Sequence, residues 1–430
     1  MTPVRRGLGD LLLQAQPVHS GIAVFYSLPS ALAHGLDGSA GYVGAEATHQ
    51  AWLRLTSELG LDARYLTQAM LRQGALRPSE FRLLLLPLTQ AVAADEAELI
   101  RAFVEAGGTV IADVRPGVFD GHCKPTTPGS LEALFGIRRS GRGAPLIKPL
   151  DLKLQFGGKE LLLQTPASRL DPGIEVAGAQ ALGQVDGTPV MLINTVGRGR
   201  AILLNFQVLS DKADEAQYAA ARRFVRSLYA LAQVTAPVTA AAPDGEALPL
   251  TETRVWRTGD ALVFGLWRQM QCDWFSPTAG TLAGAPQPAR ITLPTPRYVY
   301  DLRQGKYLGH TAEIETSLRW GRANFFLAVP ERLGAVEVQL SSPQPSPGAL
   351  LQAQVTLAGA GQGGARQAVY AEVIDPDGNP AAWGGRTLIL ENGHGRMSVP
   401  VAYNAEPGRW RLRVTELFSH ASTEATWRVR

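Results

Sequence analysis

Cysteine is nearly missing: the 430 residues hold only Cys123 and Cys272, far apart in the chain. That excludes a disulfide framework and leaves both thiols reduced and structural. Basic runs are also missing, since no Lys/Arg stretch exceeds a pair and 41 basic residues face 38 acidic ones, a formal charge of +3. A nucleic-acid partner would need that charge gathered on one stripe, so none is expected. No segment approaches the ~20 unbroken apolar residues of a spanning helix, the nearest being the strand-length "FRLLLLPL", so no membrane partner is expected either. The seven histidines, at 19, 34, 49, 122, 310, 394 and 420, form no ligand-spaced pair with each other or with cysteine. No metal and no cofactor are therefore expected. At the N-terminus, "MTPVRRGLGDLLLQAQP" has two arginines before an apolar stretch, but Asp10 and Gln14 interrupt it and no small-residue cleavage site follows. The reading is a soluble cytoplasmic protein.

The length suits two or three domains. From about residue 20 to 235, strand-like and helix-like segments alternate: "GIAVFYS", a helix through Trp52 and Leu59, "ARYLT", "RLLLLPL", "ADEAELIRAFVEAGG" and "TVIADV". This is the grammar of βαβ units and a parallel sheet. The helix from Asp95 places Leu99, Ile100 and Phe103 on one face, carries acids in its first turn and stops at Gly107-Gly108. Short alternating strands between about 145 and 205 read as a β-rich insertion. "VGRGR", residues 196 to 200, reads as a hairpin turn rather than a phosphate loop, because no helix follows it. The small, Pro-containing stretch 231 to 249 reads as a linker or domain end, and "SSPQPSPGA", 341 to 349, as a second boundary. The segments after residue 250 alternate and turn without helices. The expected architecture is a three-layer α/β flavodoxin-like domain over 1-235, then two all-β sandwich-like domains over 250-335 and 345-430, the last immunoglobulin-like.

The richest chemistry follows the strand Thr109–Ala112, where Asp113, Arg115, Asp120, His122 and Cys123 crowd one loop. Loops at the carboxyl ends of parallel strands are where α/β sheets bind ligands. A cysteine nucleophile there needs a tight strand-to-helix turn, usually Gly-x-Cys-x-Gly. Cys123 instead stands in Gly121-His122-Cys123-Lys124-Pro125, well past the strand, with prolines opposing a helix. No catalytic residue is assigned. Asp113 and Arg115 remain as an ion pair that fixes the loop or binds a hydroxylated ligand. Ser27, Ser30 and His34 follow the first strand and open on the same edge, as a helix cap and a solvated histidine or as pocket members. The candidate ligand-binding set is Ser27, His34, Asp113 and Arg115. Trp256, Trp267, Trp274 and Trp320 suit either a sandwich core or stacking on sugar rings. No pair of carboxylates marks a glycosidase centre, and a (β/α) barrel of ~250 residues does not fit the α/β part.

"GIAVFYSLPSA", the run "LRPSEFRLLLLPLTQAVAADEAELIRAFVEAGGTVIADVRPGVFD" and "LEALFGI" together resemble the trimerisation domain of family 42 glycoside hydrolases, the β-galactosidase group, over roughly residues 5 to 235. "GRGRAILLNFQ" and "YVYDLRQGKYLG" are similar to downstream parts of proteins carrying that domain. The resemblance implies a class I glutamine-amidotransferase-like fold without the nucleophile, a homo-oligomer, trimeric by analogy, and a catalytic barrel or a carbohydrate as further partner. In that family the catalytic glutamates belong to a barrel preceding this domain, so no catalytic residue carries over. The implied function is a non-catalytic accessory portion of a β-galactosidase-like system. The alternatives are a small enzyme or a sugar-binding protein using the polar sheet edge.

Overall fold

The run Leu83–Leu86 shows how the first unit is built, since four consecutive leucines suit a strand buried on both sides. Its side chains alternate, Leu83 and Leu85 entering one core and Leu84 and Leu86 another. The computed structural model describes residues 3–36, 44–141, 143–156, 158–209, 213–268, 285–360 and 363–430. Their contacts divide into two compact units. One holds His19–Thr253 and Arg268–Gln287, the other Met1–Val18, Arg254–Trp267 and Pro288–Arg430.

The first unit runs β1 (Ile22–Tyr26), α1 (Leu28–Leu36), α2 (Ala45–Glu58), β2 (Ala63–Thr67), α3 (Gln68–Arg72), β3 (Leu83–Leu86), α4 (Ala94–Glu105) and β4 (Thr109–Ala112). A long hairpin follows, β5 (Leu146–Phe156) and β6 (Lys159–Leu170), then β7 (Gln180–Val185), β8 (Thr188–Val196), β9 (Gly199–Leu204) and α5 (Glu215–Leu231). Seven strands form one sheet in the order β7-β8-β9-β4-β3-β1-β2. From β9 to β2 the neighbours are parallel, while β7 and β8 are antiparallel. Both faces are covered. Ile22 and Val24 pack with Trp52 and Leu55 of α2 and with Phe224 and Leu228 of α5, whereas Ala23 and Phe25 pack with Ile100 and Phe103 of α4. The hairpin adds Leu150, Leu152, Leu154, Leu161 and Leu163 to the α5 side.

The second unit is built of strands. A π-type turn Val4–Leu8 and helix Gly9–Gln14 come first, and Leu8 and Leu11 sink into the β core. Strands β10 (Thr251–Thr258), β11 (Ala261–Arg268), β12 (Gln287–Asp301), β13 (Lys306–Leu318) and β14 (Ala323–Val329) lie in one sheet, with β14 between β11 and β12. A second sheet of seven strands holds β15 (Val336–Leu340), β16 (Leu350–Leu357), β17 (Arg366–Ile374), β18 (Arg386–Glu391), β19 (His394–Pro400), β20 (Gly408–Glu416) and β21 (Ser422–Val429), in the order β15-β16-β19-β18-β17-β20-β21.

Four expectations change. The segments 1-235, 250-335 and 345-430 do not match the contact units: residues 1–18 join the β unit because Leu8 and Leu11 pack there, and both β sheets share one core. The stretch 231 to 249 is no free linker, since Val234, Val238, Ala247 and Leu248 are buried. "SSPQPSPGA" bounds no domain, because it joins β15 to β16, which pair with each other; its prolines mark missing backbone donors, a loop property. On α4, Leu99 faces outward at 36% exposure, and Val104 takes its place beside Ile100 and Phe103. The turn at "VGRGR" is a hairpin turn, Val196 pairing with Gly199 and Gly197 at φ 58°. No helix is long and apolar enough to cross a membrane among the described residues.

Candidate functional site

The carboxyl ends of β1, β3 and β4 bring Ser27, the loop after Leu86, and Asp113 together. Ser27 and Ser30 are buried. Ser27 Oγ donates to the Ala91 carbonyl (3.0 Å), and Ser30 Oγ accepts from the Ala91 N–H (2.9 Å). The two hydroxyls lie 2.9 Å apart, so together they clamp the start of α1 to the β3 loop. His34 falls on α1, but its side chain lies outside the described residues.

Asp113 and Arg115 are both buried, and the chain brings each a partner other than its neighbour. Asp113 Oδ1 accepts from the Leu88 N–H, and Oδ2 accepts from Trp52 Nε1 (3.2 Å). Desolvation lifts its pKa from the ordinary 3.8 to about 7, with those bonds opposing the rise. Arg115 donates to the Gly143 carbonyl and lies 3.4 Å from Asp171, which also meets Arg139. Leu88 and Arg115 hold left-handed backbones, φ 39° and 57°, a conformation disfavoured for residues with a Cβ. Asp171, Trp52 and Gln90 were the members that sequence reasoning missed. Nothing local marks Asp171, which sits 56 residues from Arg115. Gln90 is fully buried, and neither end of its amide has a partner among the described residues.

A cavity beside Trp52, lined also by Thr48, Leu55 and Gln207, measures about 10 Å³, room for a single water. Cys123 is half-buried in the turn after Asp120, its Sγ donating to the Pro29 carbonyl (3.2 Å). Asp120 Oδ1 accepts from the His122 and Lys124 N–H groups (2.8 and 2.9 Å), and these bonds lower its pKa. The chemistry of the edge is thus a carboxyl poised near neutrality and a network of fixed loops. Among the described residues no three His, Cys, Asp or Glu side chains gather as a metal site.

The same edge continues onto an apolar surface at the ends of β1 and β2. Tyr26 (43%), Leu28 (55%), Leu32 (59%), Tyr65 (43%) and Met70 (39%) are all exposed. Tyr26 and Tyr65 meet edge to face at 6.2 Å, and His49 stacks on Tyr65 at 6.4 Å. In the β unit Trp267 is exposed at 42% and Trp256 packs on Phe325; Trp274 and Cys272 lie outside the described residues.

Residues 71–234 match the family profile of the beta-galactosidase trimerisation domain. No curated protein sequence matches the chain. Among solved structures, a beta-galactosidase from Bacillus circulans sp. alkalophilus superposes with a TM-score of 0.55 at 17% identity, covering 75% of this chain and 43% of that one. A beta-galactosidase from Rahnella sp. R3 gives 0.50 at 16%, covering 72% and 41%. A GH42 beta-galactosidase from G. stearothermophilus gives 0.50 at 15%, covering 72% and 40%. The chain spans about two-fifths of the length of these enzymes, and at such identities the likeness is one of fold.

Proposed function

We propose that this chain is a non-catalytic accessory part of a β-galactosidase-like glycoside hydrolase system, and that its α/β unit joins three copies through the face around Tyr26, Leu28, Leu32 and Tyr65. The observation that carries the reading is the match of residues 71–234 to a trimerisation domain. The exposed tyrosines and leucines supply a means, because contiguous apolar surface is what association buries. In this reading the parallel sheet is amidotransferase-like without its nucleophile, the β sheets are sandwich-like with an immunoglobulin-like end, and the catalytic carboxylates belong to a barrel outside this sequence. The cytoplasm is the proposed location. Sedimentation velocity of the full chain at micromolar concentration should give a mass three times that of the chain, and Leu28→Asp with Leu32→Asp should give the monomer. A monomeric wild type would end the assembly reading.

A second reading, a small enzyme or binding protein acting at Asp113 and Arg115, draws support from the carboxyl held near pH 7, the range where acid–base residues work. It requires Asp113→Asn to abolish turnover of a sugar or amide substrate while leaving the melting temperature unchanged.

A further inference from the structure

The β unit contains a cavity of about 520 Å³, within the ~300–1,000 Å³ of small-molecule sites. Its chemistry comes from Arg6, Arg303, Phe325, Tyr370, Glu372 and Glu416, all in the same unit.

Each wall is fixed by its own packing. The turn Val4–Leu8 carries Arg6, and it is anchored by buried Leu8 and Leu11 and by Gly7. At φ 125°, with an added Cβ only 2.8 Å from the Ala368 Cβ, residue 7 must be glycine for the turn to lie this close to β17. Arg303 donates to the Ala323 carbonyl, and Asp301 accepts from the backbone N–H groups of Arg303 (2.8 Å) and Gln304 (3.0 Å). Phe325 is backed by Trp256, ring centres 6.4 Å apart. Tyr370 and Glu372 share one face of β17, two residues apart, and Tyr370 lies opposite Thr415 of β20.

The lining holds one opposed pair of charges. The Arg6 guanidinium sits 5.3 Å over the Tyr370 ring and 3.9 Å from the Glu372 carboxylate. Glu416 is fully buried. Its Oε2 accepts from the Phe418 N–H (2.9 Å), the Ser419 N–H (2.5 Å) and the Ser419 hydroxyl (2.7 Å), which shapes the loop between β20 and β21. Its Oε1 has no hydrogen-bond partner among the described residues. Burial also raises its pKa, so the group persists as a neutral donor and acceptor to higher pH than a solvated glutamate. Loop shaping accounts for one oxygen and the other is closed to solvent, so Glu416 fixes the wall rather than contacting a ligand.

We propose that this cavity binds a neutral, hydroxyl-rich ligand, a saccharide unit of one or two rings. Guanidinium donors beside carboxylate acceptors serve adjacent hydroxyls, which donate and accept at once. The Phe325 ring, backed by Trp256, takes the apolar face of a ring. A ligand charge would gain from one member of the Arg6–Glu372 pair and meet repulsion from the other. The site stands independently of the assembly reading, since it lies wholly within the β unit.

Saturation-transfer-difference NMR on the full chain, with glucose, galactose, mannose, cellobiose and lactose as probes and glucuronate and inorganic phosphate as charged controls, tests it. At least one neutral sugar should bind with Kd of about 1 mM or tighter. Arg6→Ala and Glu372→Gln should each weaken it about tenfold, and Thr415→Trp, which fills the cavity, should abolish it. Tyr403→Ala, on an exposed ring outside the lining, should leave it unchanged. Arg6 is exposed, so its variant folds even where Thr415→Trp fails. Silence from every neutral sugar, binding of only the charged controls, undiminished binding in Arg6→Ala and Glu372→Gln, or loss in Tyr403→Ala would each overturn the proposal.

Discussion

Asp113 receives two N–H donors, from Leu88 and Trp52, in a place that water does not reach. With a folded pKa of about 7 against 3.8 in the open chain, the folded state holds the proton more tightly. The stability this supplies is complete below the unfolded value and is lost as pH rises to the folded value, at roughly 1.4 kcal/mol per pH unit. Asparagine in its place has no titration and only one accepting oxygen for two donors. Asp113→Asn should therefore be less stable than wild type near pH 5 by about 1 kcal/mol, with the gap closing or reversing by pH 8. Urea midpoints of both proteins across pH 5 to 8 decide the matter, and parallel curves would show that Asp113 does not titrate in this window. Loss of stability on this substitution also separates a loop-fixing carboxyl from a catalytic one.

Among elements, the joint between α2 and α5 is made by charge inside the core. Glu58 is fully buried, accepting from Arg54 Nε (2.8 Å), Arg222 (2.6 Å) and the Leu250 N–H (2.7 Å), while Arg54 lies 3.5 Å over the Tyr218 ring. Glu215 also meets both guanidiniums, at 3.1 and 2.6 Å, so removing the Glu58 charge leaves two buried cations facing one carboxylate. Glu58→Gln should cost roughly 3–5 kcal/mol in chemical denaturation, whereas Arg64→Ala, which breaks the half-exposed pair with Glu80 at 2.9 Å, should cost under about 1 kcal/mol. Equal losses would mean that the buried network does not carry the joint. This network explains what was legible in the sequence and what was not. The parallel strands were legible because "LLLL" and "TVIA" are apolar on both faces, and α4 because its start, stripe and stop coincide. The partners of Asp113, Arg115 and Glu58 were hidden, since Trp52, Asp171 and Leu250 lie 61, 56 and 192 residues away and nothing local codes for such pairings. The run 341 to 349 misled because proline reports a backbone that cannot pair, which loops inside a sheet share with domain ends.

For the whole molecule, the assembly reading makes a thermodynamic claim that mass alone does not test. If three chains associate through Tyr26, Leu28, Leu32 and Tyr65, folding is coupled to association, and the melting temperature must climb with protein concentration by mass action. The side chains named for this face, two tyrosines and two leucines, are uncharged, and the chain as a whole is nearly balanced at +3. Association should then be driven by apolar burial, strengthened by sulfate and little weakened by sodium chloride. Calorimetric scans over a hundredfold concentration range should show a rise on the order of a few degrees for wild type. Leu28→Asp with Leu32→Asp should show none, because both substitutions sit on exposed positions of α1 and leave the core intact. A concentration-dependent melting temperature that collapses in sodium chloride would assign the contact to ion pairs elsewhere on the surface and free this face for another role. A melting temperature that ignores both concentration and sulfate would leave the trimerisation-domain match as a likeness of fold without its assembly.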